Sequence, residues 1–376
     1  MMHIVQLLPA LNEGGVERGV VELNRELIRR GVRNTVISAG GRLAPQIDGD
    51  GGRHIPLDVK SKNLLTVPGR VRRLRALIAE LNPDIIHVRS RVPAWLVRFA
   101  NRNPRRPVVS TVHGLYSVNA YSRIMTRADR VICVSQAAVE YVRKNYGTPE
   151  SLIRLVHRGI DPVAFDPARL DADFVRAFKT RHALDGRFVI LAVGRITSLK
   201  GYRELIQAAA LARGDLQDPL NLAVVIVGGV QQGQEAYAAE LRALVTRLKL
   251  DDAVVFAGSQ TRMAEIYDAA DVVVSCSTSK PETFGRSMIE ALAMNRPVIA
   301  TRHGGALDIM REGVTGWLVE PGDIAGLAAG LVKAANTRLT GLRAYAIERF
   351  SLDAMVEKNL AIYRDVLGGA IRAEGR

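Results

Sequence analysis

Cysteine is almost missing from this chain. Cys133 and Cys276 are the only two in 376 residues, each inside an apolar run, Val131-Ile132-Cys133-Val134 and Val274-Ser275-Cys276. Two isolated, apolar-flanked thiols exclude a disulfide framework, argue against a metal role and suit a reducing compartment. Long apolar runs are missing too: Leu222–Val227 and Val272–Val274 are only strand-length, well short of the roughly 18 residues of a membrane-crossing helix. The start, Met1-Met2-His3-Ile4-Val5-Gln6-Leu7-Leu8, carries neither the positive charge nor the small-residue cleavage site of a signal peptide. A cytoplasmic protein is expected. Aromatics make up 5% of the residues, too few for a base-stacking platform, and zinc-ligand pairs are absent, so nucleic acid is not expected as a partner.

Acidic residues are in deficit, 38 against 52 Lys and Arg, for a formal charge of +14. The excess is concentrated. Between Lys60 and Pro107 twelve Lys or Arg face only Glu80 and Asp84, a net of about +10. Such a patch fits a solvated face, an acidic acceptor or an anionic membrane surface.

What is present is a soluble-enzyme composition, 48% hydrophobic with 33 glycines. The length exceeds one core and predicts two domains of roughly 150 to 200 residues. Strand-length apolar runs alternate with helical patterns, which predicts βαβ units and parallel sheets. The strands are read at His3–Leu8, Asn34–Ser38, Ile85–Val88, Val108–Val112 and Arg130–Val134, then Phe188–Val193, Asn221–Val227, Ala253–Phe256, Val272–Cys276 and Pro297–Thr301. Helices are read over Glu17–Arg30, Val67–Leu81 and Leu352–Leu367. The helix Val67–Leu81 places Val67, Val71, Leu74 and Leu77-Ile78 on one stripe and Arg70, Arg72, Arg73 and Arg75 mostly elsewhere. Pro162 and Pro167 interrupt the chain near Gly159-Ile160-Asp161-Pro162. The fold class is therefore α/β, with a first Rossmann-like domain over 1–165 joined by a returning helix 353–376, and a second over 166–352.

Three turns carry candidate chemistry. Asn12-Glu13-Gly14-Gly15-Val16-Glu17 follows the first strand and opens a helix. Paired glycines let backbone approach an anion, and the helix start offers free N–H groups; a tight turn without ligand fits equally. It is not GxGxxG, and no acidic residue closes the second strand, so a dinucleotide site is disfavoured. Gly194-Arg195-Ile196-Thr197-Ser198-Leu199-Lys200-Gly201 also follows a strand. Arg195 and Lys200 would sit at the carboxyl edge of the sheet, able to steady a departing diphosphate or merely solvated. Pro281-Glu282-Thr283-Phe284-Gly285-Arg286-Ser287-Met288-Ile289-Glu290 puts Glu282 in a loop and Glu290 inside the following helix, with the N–H groups of Phe284 to Ser287 free for a phosphate.

With these in register, the chain resembles the retaining glycosyltransferases of the GT-B fold, the fourth family, over nearly its whole length. The likeness also rests on Thr111-Val112-His113-Gly114, Val134-Ser135, Arg158-Gly159-Ile160-Asp161, Ala270-Asp271, Gly313-x-x-Gly316 and Ile362-Tyr363. Arg158 departs from it, standing where the family usually carries Asn. The resemblance implies two facing Rossmann-like domains with a cleft between them, a nucleoside diphosphate sugar of UDP or GDP type as donor, and no cofactor or metal. It implies that Glu290 holds ribose hydroxyls, and that Glu282 with the backbone of Thr283, Phe284 and Gly285 holds the donor sugar. Arg195, Lys200 and the Gly15 backbone would hold the diphosphate, with Gly14 and Ser287 also on the donor side, the segment Gln260–Met263 would grip the base, and His113 would touch the transferred sugar. Catalysis would be front-face, without an enzyme nucleophile.

The acceptor side is read from Arg89-Ser90-Arg91 at the end of Ile85–Val88. Arg89 and Arg91, with His113, are candidates for a phosphate or sugar-acid carboxylate; capping and surface charge are the alternative. An acidic glycolipid or saccharide of envelope polysaccharide or lipopolysaccharide synthesis is the expected acceptor, and the cytoplasmic face of the inner membrane a candidate location. A nucleotide-sugar epimerase and a non-catalytic nucleotide-sugar-binding subunit remain the competing readings.

Overall fold

The computed structural model describes residues 1–12, 14–214 and 220–374, the last five by backbone alone. Glu13, read above as part of the first glycine turn, lies outside the described residues. The chain divides into two units, Met1–Gly159 with Leu352–Arg376, and Ile160–Ser351. The first unit thus ends at Gly159 rather than at 165. The reason is local: Ile160 donates its N–H to the Phe350 carbonyl (2.8 Å), and Arg343 donates to the carbonyls of Pro162 and Phe165. Residues 160–165 are therefore tied to the second unit.

The first unit holds a parallel sheet of β1 (His3–Leu7), β2 (Arg33–Ser38), β3 (Arg53–Pro56), β4 (Ile85–Val88), β5 (Val108–Val112), β6 (Arg130–Cys133) and β7 (Ile153–Leu155), ordered β3-β2-β1-β4-β5-β6-β7. Its period-2 alternation feeds two cores. Val5, Ile86, Leu74, Leu77 and Val97 pack on one face. Ile4, Ile85, Leu27, Val356 and Tyr363 pack on the other. The second unit holds β8 (Phe188–Val193), β9 (Leu222–Val227), β10 (Val254–Gly258), β11 (Val272–Ser275), β12 (Val298–Thr301) and β13 (Gly316–Val319), all parallel, ordered β10-β9-β8-β11-β12-β13. Every residue of β9 is buried, as helices on both faces of a parallel sheet require.

Arg70 differs from its reading as one of the arginines lying mostly off the apolar stripe. It is buried, and its guanidinium donates to the carbonyls of Ser61 (2.8 Å) and Asn63 (2.9 Å). A long side chain with five donors can satisfy loop carbonyls that no backbone reaches.

The helix Leu352–Glu374 belongs to the first unit. Arg30 pairs with Asp353 (2.5 Å) and Glu357 (3.1 Å), and Arg130 with Asp365 (2.9 Å). Deeper in, the Tyr363 hydroxyl lies 2.7 Å from His87 Nδ1, while His87 Nε2 lies 2.7 Å from Thr111 Oγ1. Burial, with the charges of Arg89 and Arg158, holds His87 well below its ordinary value. It is therefore neutral when folded. Unfolded, it takes a proton below about 6.5, so the stabilisation from a neutral His87 is complete above that pH and is lost as the pH falls below it. Tyr363→Ala removes a fully buried ring and strands a His87 nitrogen; urea unfolding is expected to show a loss of about 3 to 5 kcal/mol. In His87→Gln the acid limb of the stability profile below about pH 6.5 becomes shallower.

Candidate active site

In an open α/β sheet, ligands bind beyond the carboxyl ends of the strands where the order reverses. That point lies between β8 and β11 in the second unit and between β1 and β4 in the first. The turn after β8 carries Arg195 and Lys200, and the loop after β11 carries Glu282.

Lys200 Nζ donates to Glu282 Oε1, with each side chain about a quarter exposed. Burial pushes the Glu282 carboxyl up, but the charge and hydrogen bond of Lys200, with Ser277 and His303, outweigh it and hold the group below its ordinary value. Lys200 is thus not a free cation beside Arg195. Arg195 itself is exposed and makes no ion pair among the described residues. The turn between them is shaped by Tyr202, whose hydroxyl donates to the Gly194 carbonyl (2.7 Å). Gly201 sits so close to the Cys276 carbonyl that a Cβ would overlap it. Burial raises the Cys276 thiol to about 12, which leaves it a packing group.

The loop from Pro281 to Gly285 ends in a left-handed residue, Gly285 (φ 98°), which caps the helix Arg286–Ala293 without any side-chain hydrogen bond. Glycine is required there, because a side chain would face both this backbone strain and Met288. Thr283 and Ser287 are half-buried, and Phe284 is buried edge-on against Phe350 (5.9 Å). The aromatic side chain anchors the loop and leaves its backbone to meet a ligand. Glu290 is buried; its Oε2 accepts from the Tyr267 hydroxyl (2.9 Å) and its Oε1 from Arg286 Nε (3.2 Å). A carboxylate offers about four lone-pair positions, so two donors orient it and leave acceptor capacity. Gln260, after β10, donates to the Ala257 carbonyl (2.6 Å), which engages its side chain within its own turn.

Sequence reasoning missed the segment that supports this loop. Gly305 donates its N–H to the Glu282 carbonyl (2.8 Å), and His303 Nε2 lies 2.8 Å from the Ser277 carbonyl. Side chains at Gly304 or Gly305 would overlap the backbone of Glu282 or Phe284. The signal was there: His303-Gly304-Gly305 is a glycine pair at a strand-to-helix turn, like Gly14-Gly15.

In the first unit, Gly14 (φ 143°) caps the helix Gly15–Arg29 without a side-chain bond, and Gly15 is exposed. A Cβ at Gly14 would lie 2.6 Å from Glu17 Oε2. Arg89 and Arg91, two residues apart, do not act as a pair. Arg89 is buried, donates to Gln6 (2.6 Å) and leaves its Nε without a partner. Burial brings it down to about 10, with the neighbouring Tyr363 acting the other way. Arg91 donates to Ser122 (3.1 Å) and lies over the rings of Tyr116 and Tyr121.

His113 ends β5. Arg158 Nη2 lies 3.2 Å from its Nδ1. A guanidinium only donates, so Nδ1 accepts and Nε2 carries the proton. That Nε2 is buried with no partner. Burial, then Arg158, Arg89 and His87, hold His113 well below its ordinary value, so the ring is neutral. An orphaned buried donor costs free energy that a ligand hydroxyl would recover. Among the described residues no group of three His, Cys, Asp or Glu stands ready for a metal ion.

The family model for Glycosyltransferase Family 4 matches residues 13–163, and the model for Glycosyl transferases group 1 matches residues 175–349. The D-inositol 3-phosphate glycosyltransferase 1 of Catenulispora acidiphila is 30% identical, over 95% of this chain and 92% of its own. A glycosyltransferase from Rickettsia africae superposes with a TM-score of 0.88 at 29% identity, covering 97% of this chain and 98% of that one. Anabaena HepE, crystallised with UDP and glucose, superposes at 0.84 with 23% identity, covering 96% and 99%. The two doubly wound parallel-sheet domains are those of GT-B glycosyltransferases, and the chain belongs to the group 1 glycosyltransferases of family four.

Proposed function

We propose that this glycosyltransferase is retaining and metal-independent, and transfers a sugar from a UDP- or GDP-type donor to an acidic glycolipid or saccharide. The observation that carries the donor side is the Lys200–Glu282 pair at the β8/β11 reversal, with Glu290 buried in the helix that follows the Glu282 loop. Glu290 takes the ribose hydroxyls, and Glu282 with the backbone of Thr283, Phe284 and Gly285 takes the donor sugar. Arg195, Lys200 and the uncapped N–H groups at Ser287 serve the diphosphate; Gly14 and Gly15 offer a second uncapped helix start. The segment around Gln260 serves the base.

Glu282 is bound to Lys200 and is not assigned as a nucleophile. In the step proposed, the acceptor oxygen bonds to the anomeric carbon on the face the leaving group vacates. The anomeric carbon–oxygen bond breaks, the electron pair leaves with the diphosphate, and a phosphate oxygen takes the acceptor's proton. Arg195 and Lys200 stabilise the charge that develops, which is the work a divalent ion would otherwise do. His113, through its Nε2 proton, donates to a hydroxyl of the transferred sugar. The acceptor reading rests on Arg89, a buried cation with an unpartnered Nε, and on Arg91; the relative's D-inositol 3-phosphate is likewise an anionic polyol. Envelope polysaccharide or lipopolysaccharide synthesis at the cytoplasmic face of the inner membrane is the setting proposed.

Lys200→Ala is expected to lower kcat/KM by about 10² to 10³ in assays of nucleoside diphosphate release with an acidic acceptor. Glu290→Gln, which keeps the shape and halves the acceptor capacity, raises the donor KM about tenfold to a hundredfold with less effect on kcat. Equal rates for these variants and the wild type contradict the donor assignments. Turnover without any acceptor, giving an isomerised nucleotide sugar, supports an epimerase instead. The first-formed product, followed by NMR, keeps the anomeric configuration of the donor, and its rate is unchanged by EDTA. An inverted product or loss of rate on chelation overturns that part of the reading.

A further inference from the structure

The turn Leu64–Thr66 presents two leucines to solvent, Leu64 at 81% and Leu65 at 90% exposure. This is a built display rather than a frayed loop. Buried Arg70 holds the carbonyls of Ser61 and Asn63, and the Asn63 side chain accepts from the Leu65 N–H (3.0 Å). Beside the turn lies an apolar groove of about 290 Å³ lined by Val67, Val92, Trp95, Phe99 and Tyr121. The Trp95 and Phe99 rings stack there at 5.7 Å, and the Trp95 indole N–H is satisfied by the Tyr121 carbonyl (3.0 Å). Lys62 lines the groove, Arg98 and Arg102 flank Phe99 at its edge, and Lys60, Arg72 and Arg73 are exposed on the adjoining loop and helix. Arg75 donates to the Phe99 carbonyl (3.1 Å), which ties the basic helix Val67–Leu81 to the rim of the groove.

Three occupants compete for such a face. A second copy of the chain would set one basic patch against another. A nucleic acid would match the charge and leave Leu64 and Leu65 wet. An anionic bilayer meets both demands, because headgroups lie level with the cations while apolar side chains reach the acyl boundary. We propose that this face of the first unit docks on an anionic lipid bilayer, with Leu64 and Leu65 entering the acyl boundary and the Trp95–Phe99 groove at headgroup level. No described helix is long and apolar enough to cross a membrane, so the contact would be interfacial. The inference deepens the membrane setting proposed above and rests on it; it needs neither the donor nor the acceptor assignment.

The test is sedimentation of the full chain with phosphatidylcholine vesicles, with and without phosphatidylglycerol. The wild type is expected to partition at least about tenfold more strongly into the anionic vesicles, less so at high salt. Leu64→Ser/Leu65→Ser and Arg72→Glu/Arg73→Glu each weaken that partition about tenfold or more. Both variants alter exposed positions, so melting temperature and nucleoside diphosphate binding should match the wild type, which separates loss of docking from loss of fold or site. On binding, Trp95 should report a blue shift absent from the leucine variant. Equal partition into neutral and anionic vesicles, unchanged partition in either variant, or binding to duplex DNA in place of vesicles overturns the proposal. Self-association that vanishes in the leucine variant, without vesicle binding, overturns it as well.

Discussion

The site in the second unit depends on backbones that pass too close for side chains. At Gly304-Gly305 the chain lies directly against Glu282 and Phe284, and the Gly305 N–H is spent on the Glu282 carbonyl. At Gly201 the turn after β8 lies against the Cys276 carbonyl at the end of β11. These approaches fix the heights of two loops that the sheet alone would leave free, and their consequence is that Lys200 reaches Glu282. Buried Phe284 and Tyr202 lock the same loops from the apolar side.

Electrostatics then follows from position. A carboxylate moved out of water favours its neutral form, and Lys200 reverses that preference, so Glu282 stays ionised. Glu290 is buried, but its partners, a tyrosine hydroxyl and Arg286, orient it without filling it. The first unit uses burial in the opposite sense. It keeps His87 and His113 neutral beside Arg89 and Arg158, which turns His113 into a fixed hydrogen-bond donor. A neutral donor with an unfilled valence suits hydroxyl recognition and is a poor base at neutral pH.

Much of this was legible in the sequence. Short continuous apolar runs such as Leu222–Val227, alternating with longer helical patterns, read as interior parallel strands, and the strand–turn–helix contexts of Arg195 and Glu282 followed from them. The edge strands β3 and β13 were not read, because Arg53-His54-Ile55-Pro56 and Gly316-Trp317-Leu318-Val319 carry too little alternation, edges being short and half-solvated. The expected convergence of Arg195 and Lys200 missed the Lys200–Glu282 pair, since residues 82 positions apart meet only through the fold. Arg70 and Arg89 counted as basic patch in the sequence but are buried, for composition does not say which cations a loop or a sheet layer will absorb. The Gly304-Gly305 support went unread because a glycine pair signals a close approach without naming what approaches.

What the proposal needs most is that the second unit grips a nucleoside diphosphate through Glu290 and the uncapped helix start at Gly285. Calorimetric titration of UDP and GDP into the wild type and into Glu290→Ala tests it most directly. At least one of the two is expected to bind the wild type saturably, with binding weakened about tenfold or more in the variant by loss of a charged hydrogen-bond acceptor. Binding of equal strength to both proteins would contradict it.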